Sequence, residues 1–284
     1  MTEAAVIGPG DRPKGERRRE REEAKRARAR RNTLIAAGSS VVVIGGLAAL
    51  VLTSPGWPTV RETFFNWSEF KNSFPEVLSG FWLDVKVFMV VEVVVLVIAL
   101  VIALIRVNRS AGLFPVRLLA TVWVDLFRGV PTVLLVYLIG FGIPALELEG
   151  LPTDPVVLGA IALTLSYSGY VSEVYRAGIN SVHHGQHDAA LSVGLTETQT
   201  MRHVVLPQAI RRVGPPLLND FVALQKDVAL ISIIGPQEAF RVAQIFQGEN
   251  FNYTPIIAAA LLYLVITVPL ARLVDRMGGE GYVR

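Results

Sequence analysis

Apolar residues gather into six long runs, beginning at Leu34, Val85, Leu118, Val156, Pro215 and Ile256, with charged, Pro- and Gly-bearing segments between them. Each run approaches the ~20 residues that a helix needs to cross a bilayer. The pattern predicts an all-α, polytopic membrane helix bundle of about six transmembrane helices. The polar segments are uneven. From Ser172 to Gly214, Asp188, Ala189, Ala190, Leu191, Val193, Leu195, Met201 and Val204 alternate with polar residues, which predicts short amphipathic helices with Gly194 as a break. Pro207 and the Pro215-Pro216 pair mark further helix boundaries. The segment from Ser54 to Gly80, with Trp82 just beyond it, carries Trp57, Phe64, Phe65 and Trp67, which reads as aromatic anchoring at a membrane interface ahead of a ligand-binding cluster.

Composition supports the membrane reading: 52% of residues are hydrophobic and 18% charged, too apolar for an ordinary soluble domain. The chain has no cysteine, so disulfide frameworks and thiolate metal sites are excluded. Its net charge of +3 is concentrated at one end, because residues 1–33 hold eleven Lys and Arg against six Asp and Glu. That basic tail, Arg12 to Arg31, lacks an apolar stripe and reads as disordered or as a solvated helix, anchoring the first span in the cytoplasm, with lipid-headgroup contact as the other reading. It does not mark a nucleic-acid-binding surface. The apolar run that follows is long enough to span, so it reads as a retained helix and not as a signal peptide. Arg106, Arg109 and Arg117 fall in one connection and Arg176, Arg202, Arg211 and Arg212 in another, whereas Glu147, Glu149 and Asp154 lie between them. The positive-inside rule then puts both basic connections and both termini in the cytoplasm, with Arg272 and Arg276 after the last span, in a multi-pass plasma-membrane protein.

Within the long connection, Asp188-Ala189-Ala190 is separated by three residues from Gly194, and Leu206-Pro207 closes the pattern thirteen positions further on. This resembles the EAA loop of binding-protein-dependent ABC importer permeases. The flanking matches Glu173-Val174-Tyr175-Arg176-Ala177-Gly178-Ile179, Gly185-Gln186, Gln199-Thr200, Leu206-Pro207-Gln208-Ala209, Pro215-Pro216-Leu217, Asn219, Lys226-Asp227 and Ser232-Ile233-Ile234-Gly235 resemble the subfamily that imports polar amino acids. So does Phe127-Arg128-Gly129-Val130-Pro131 upstream. The resemblance runs from about Gly80 to Arg276 and is densest from Glu173 to Gly235. Three features depart from the family pattern: Asp188 stands where Glu is usual, Asp84 and Glu92 stand where neutral residues are expected, and the tail with its first span is added to a five-helix core.

The charge and hydropathy pattern predicts a basic cytoplasmic tail (1–33), an additional N-terminal transmembrane helix (34–53), an extracellular loop (54–79) and a C-terminal cytoplasmic tail (277–284), and the resemblance implies an importer transmembrane domain (80–276) containing the EAA loop (173–214). It implies a permease that forms the pathway for a polar amino acid and couples it to ATP hydrolysis elsewhere. ATPase subunits holding ATP and Mg would grip the loop at Asp188, Ala189, Ala190, Gly194, Leu206 and Pro207. A second permease chain, the same or homologous, and an external solute-binding protein complete the expected assembly. Arg128, Gly129, Pro131, Glu173, Arg176 and Asn219 are family-motif candidates.

The chain itself offers no phosphate-binding loop: Gly10 and Gly15 have the required interval, but Glu16 follows instead of Lys. No Ser/His/Asp arrangement stands out, so it is not read as an enzyme and no cofactor is expected in it. His183, His184 and His187 put two imidazoles at i and i+4, yet a polar loop beside the coupling helices is preferred to a metal site. Ionisable residues inside spans face the bundle interior, a partner or water. Lys226 and Asp227 are therefore read as structural or gating residues near the pathway ahead of direct substrate contacts. Glu92 is read as meeting a cationic group of an amino acid or of Lys86, or as a water-facing acid. An ion-gradient-driven transporter, a permease for another small solute and a docking-only membrane anchor remain alternatives. No internal repeat of the kind secondary transporters carry is evident.

Overall fold

A computed structural model describes residues 14–108 and 110–281 of the chain. Gly10, Arg12, Arg109 and the last three residues of the expected C-terminal tail lie outside them. The described chain divides into two compact units, one ending at Arg61 and one beginning at Glu62.

The first unit is dominated by α1 (Lys14–Leu52), which runs unbroken from the basic tail into the first apolar run. Arg, Lys, Glu and Ala are good helix formers, so the segment read as disordered or solvated helix is helical from Lys14 onward. From Arg28 to Leu52 the helix is long and apolar enough to span a membrane. Its apolar side chains are exposed around the whole circumference, as expected for a helix whose solvent is lipid.

The stretch expected as an extracellular loop, 54–79, is largely helical and contains the boundary between the units. After α2 (Trp57–Phe64), Asn66 caps α3 (Trp67–Val107) by accepting from the backbone N–H groups of Ser68 and Glu69. The long helix thus begins well before the apolar run at Val85, and Pro75 sits inside it. The aromatic residues of this stretch find separate neighbours. Phe64 stacks on Tyr253, Trp67 on Phe70, and Lys86 lies over the ring of Trp82. The start of α3 is fastened to the start of α11 (Thr254–Gly281): the Asn66 N–H donates to Thr254 Oγ1 at 2.9 Å, and Asn252 Nδ2 donates to the Glu62 carbonyl at 2.8 Å.

Two shorter helices follow, α4 (Phe114–Gly129) and α5 (Thr132–Ala145), meeting at 101°. Val130 and Pro131 are extended at the joint, since Pro cannot continue the preceding helix ladder. Then come α6 (Pro155–Asn180), the short helices of the long connection, and α9 (Leu206–Asp227). A seven-residue 3₁₀ segment, Val228–Ile234, continues α9 and ends at Gly235 with φ 116°; α10 (Ala239–Asn250) precedes α11.

Among the described residues, four helices are long and apolar enough to cross a membrane, and up to five segments qualify if the bent α4–α5 pair is one span. The run predicted at Pro215 is the second half of α9 with its 3₁₀ extension, and it carries Asp220, Lys226 and Asp227. The main core lies where Val87, Val91, Val95 and Ala99 of α3 meet Leu163, Tyr167 and Val171 of α6 and Leu224, Val228 and Ile231. A second cluster joins Val77 and Phe81 of α3 to Ala239, Val242 and Ala243 of α10 and Ala259 of α11. Beside it Asp84 is buried and accepts from the Tyr263 hydroxyl at 2.8 Å, while the buried Glu238 caps α10.

Candidate coupling hairpin and transmembrane pathway

The long connection folds into a helical hairpin. His183 caps α7 (His184–Ser192), its Nδ1 accepting from the Gly185 N–H at 3.0 Å. The chain then reverses at Val193-Gly194, where Gly194 has φ 89°, a left-handed conformation that glycine adopts without steric cost. Thr196 opens α8 (Glu197–Thr200) with a reciprocal capping box to Gln199. A π-helical turn, Met201–Val205, carries α8 directly into α9 at Leu206 and Pro207.

The base of the hairpin is packed and its tip is bare. Ile179 and Val182 cluster with Val205 and Ala209, and Ala190 is buried. Asp188, Ala189 and Gly194 are exposed, and Val193 is 78% exposed at the apex. Arg212 donates to the Ser181 carbonyl and so ties α9 to the end of α6. His187 bridges the two arms, its Nε2 2.9 Å from Glu197 Oε2. That contact holds the His187 pKa above its ordinary value, and the neighbouring Asp188 adds to it. His183 and His187 thus take part in the fold of the hairpin. Among the described residues no group of three or more His, Asp or Glu is arranged to hold a metal ion.

Behind the hairpin, the structure brings Glu173, Arg176 and Arg128 together. Glu173 accepts from Arg176 and, at 2.8 Å, from Arg106, with Arg128 at 3.9 Å. Gly129 and Pro131 form the α4–α5 joint, which is held against α6 by the Tyr170 hydroxyl donating to the Arg128 carbonyl at 3.2 Å.

Deeper between α3, α6 and α9 lies an acidic interior. Glu92 of α3 is only 9% exposed, and Asp220 of α9 is half-buried. Asp227 accepts from the Tyr167 hydroxyl at 2.8 Å. Lys86, weighed as a partner for Glu92, lies against Trp82 instead. Asn219 and Lys226 stay on exposed faces of α9, so Lys226 and Asp227 diverge as adjacent helical residues must. Sequence reasoning missed Asp220, Tyr167 and Arg106 as members of these groups. The rule that flagged Glu92, an ionisable residue within an apolar run, would also have flagged Asp220.

Comparison with known proteins bears on the whole arrangement. Residues 110–278 match the family described as the binding-protein-dependent transport system inner membrane component. A probable amino-acid permease, YxeN of Bacillus subtilis (strain 168), is 33% identical over 212 residues, covering 74% of this chain and 93% of that one. The arginine transport system permease ArtQ of the same organism is 32% identical, covering 69% and 88%. A putative glutamine transport system permease, GlnP of Rickettsia felis (strain ATCC VR-1525 / URRWXCal2), is 34% identical, covering 68% and 86%. Among solved structures, an amino acid ABC transporter crystallised with histidines superposes with a TM-score of 0.64 at 32% identity, covering 71% of this chain and 92% of that one. The MetNI methionine ABC transporter, at 18% identity and a TM-score of 0.58, shares the fold. The chain is an integral membrane protein and belongs to the family of inner membrane components of binding-protein-dependent transport systems, the permease subunits of ABC importers.

Proposed function

We propose that this permease carries a polar amino acid, delivered by an external solute-binding protein, and that its α7–α8 hairpin takes up the work of ATP hydrolysed by a partner ATPase. The observation that carries this reading is the hairpin itself, with a bare tip at Val193-Gly194 on a packed base of Ile179, Val182, Val205 and Ala209. A compact knob with an exposed apolar tip fits a cleft on a soluble partner, and α8, the π turn and α9 run from that knob to the acidic interior without a break. Asp188, Ala189, Ala190, Gly194, Leu206 and Pro207 form or flank the contact in this reading. ATP and Mg belong to the partner, and a second permease chain completes the pathway. Both termini and the hairpin lie on the cytoplasmic side, in keeping with the basic connections.

The names of the relatives, an amino-acid permease, an arginine permease and a glutamine permease, support the cargo class. Movement between inward-open and outward-open states follows from differential contacts of the ATPases with the two positions of the hairpin. The test is Gly194→Asp in a reconstituted importer. The left-handed φ strains any side chain at the tip, and the charge spoils an apolar contact. The variant should insert normally but lose ATP-driven uptake and co-purification of the ATPase, and normal uptake would overturn the assignment.

A further inference from the structure

We propose that the arginine-lined cavity between α3, α4 and α6 binds the phosphate group of an anionic phospholipid, with an acyl chain leaving over α4. Arg106, Arg117 and Arg176 come from three different helices and converge, with Val107 and Asn180, on a cavity of about 380 Å³. An adjoining chamber of about 240 Å³ is shared by the same three arginines and lined by Phe114, Leu118 and Thr121 of α4.

The charge in this cavity is incompletely balanced. Glu173 is the acid that Arg106 and Arg176 both reach, so among these described groups three guanidiniums face one carboxylate. Arg117 meets no acid there: its Nη1 donates to the Asn108 carbonyl at 2.8 Å and its guanidinium stands 5.5 Å from the Phe114 ring. Each guanidinium offers five N–H donors, and these contacts occupy a minority of them.

Local dipoles sharpen the case. Arg106 lies in the last turn of α3, where a cation answers the helix dipole, and Arg176 is paired with Glu173 three residues before it. Arg117 has no such explanation, because it stands in the first turn of α4, at the positive end of a helix whose first turn contains no acid. A cation there is unfavourable unless an anion accompanies it. A phosphate supplies that anion and matches the guanidinium fork.

The second chamber argues for a lipid over a soluble phosphate. Phe114 and Leu118 are each more than half exposed, and Leu119 and Val122 extend the same exposed apolar surface along α4. A cationic chamber opening onto an apolar one suits a molecule with a charged head and a hydrocarbon tail, and basic pockets at the ends of spans are where anionic headgroups bind.

The test is native mass spectrometry of the delipidated full chain in mild detergent, titrated separately with phosphatidylglycerol, phosphatidylcholine and inorganic phosphate. The expected result is retention of phosphatidylglycerol in preference to phosphatidylcholine. Arg117→Gln should weaken that retention about fivefold, the effect of one basic group near a lipid surface. Arg117→Lys, which keeps the charge, should largely restore it, and circular dichroism should show both variants folded. Displacement of phosphatidylglycerol by inorganic phosphate would support recognition through the phosphate itself. Equal retention of the two lipids, or no loss in Arg117→Gln, would overturn the site, and binding of inorganic phosphate without lipid retention would overturn the lipid assignment. The outcome does not depend on which cargo the permease carries.

Discussion

At the scale of single residues, the packing of α3 on α10 depends on the absence of a side chain at Gly80. A Cβ added there would sit 2.7 Å from the Glu238 carbonyl carbon and 2.8 Å from the Ala239 nitrogen, both backbone atoms that cannot swing aside. Gly80→Ala is therefore expected to force α3 and α10 apart and to lower stability by about 1–3 kcal/mol, the usual range for overpacking. Gly142→Ala, at a helical position with nothing within 4 Å, should be neutral or slightly stabilising, because alanine is the better helix former. Melting temperatures of the two purified variants, compared with the parent chain, check both. Glu92 is a functional case. If its carboxylate faces a cationic group of the cargo, Glu92→Gln should reduce uptake of cationic amino acids more than of neutral ones, about tenfold against little change. Competition uptake assays in proteoliposomes would read this difference, and an unchanged preference would remove Glu92 from the recognition of cargo.

At the scale of elements, the hairpin is held by a titratable clasp. Hydrogen bonding to Glu197 raises the His187 pKa, with a smaller contribution from Asp188. A histidine with a raised folded-state pKa lends its full stabilisation below the unfolded value of about 6.5 and loses it as pH climbs through the folded value. Amide exchange at Gly194 and Leu195, corrected for intrinsic base catalysis, should therefore show the hairpin loosening from mildly acidic to mildly alkaline pH. Glu197→Gln should flatten that dependence. Elements differ in how far sequence revealed them. The hairpin was legible because its signals are local: a glycine at the reversal and alternating apolar positions lie within about twenty residues. The runs at Leu34, Val156 and Ile256 were legible for the same reason. The upstream extension of α3 through 67–79 was not, because aromatic and charged residues mask its period; its local cap, Asn66, is itself anchored to Thr254, 188 residues away. Nor could runs of apolar residues reveal that α4 and α5 meet at 101°, since Pro131 signals a break but not its angle. The acidic interior depends on which faces of α3, α6 and α9 meet, and no single helix carries that information.

At the scale of the whole molecule, α9 joins the two regions that transport must link. Its N-terminus grows from the hairpin through the π turn, and its C-terminal half presents Asp220 and Asp227 to the interior. At 22 residues, with Pro215 and Pro216 inside it, α9 is about 33 Å long, so in the proposed coupling a displacement of the hairpin would reach the interior along this one helix. α9 is joined to α6 by packing, by Arg212 on the Ser181 carbonyl near the hairpin, and in the interior by the Tyr167 hydroxyl on Asp227. Tyr167→Phe keeps the ring in the core while removing this donor from a half-buried carboxylate, a loss of about 1.5–3 kcal/mol for a hydrogen bond to a charged group. The hairpin is untouched, so the ATPase should still co-purify with the variant in normal amount. Uptake per ATP hydrolysed should fall severalfold, because the interior no longer follows the hairpin in one piece. Loss of ATPase binding would show that Tyr167 supports the fold of the hairpin instead, and unchanged coupling would move the link between the two regions away from α9.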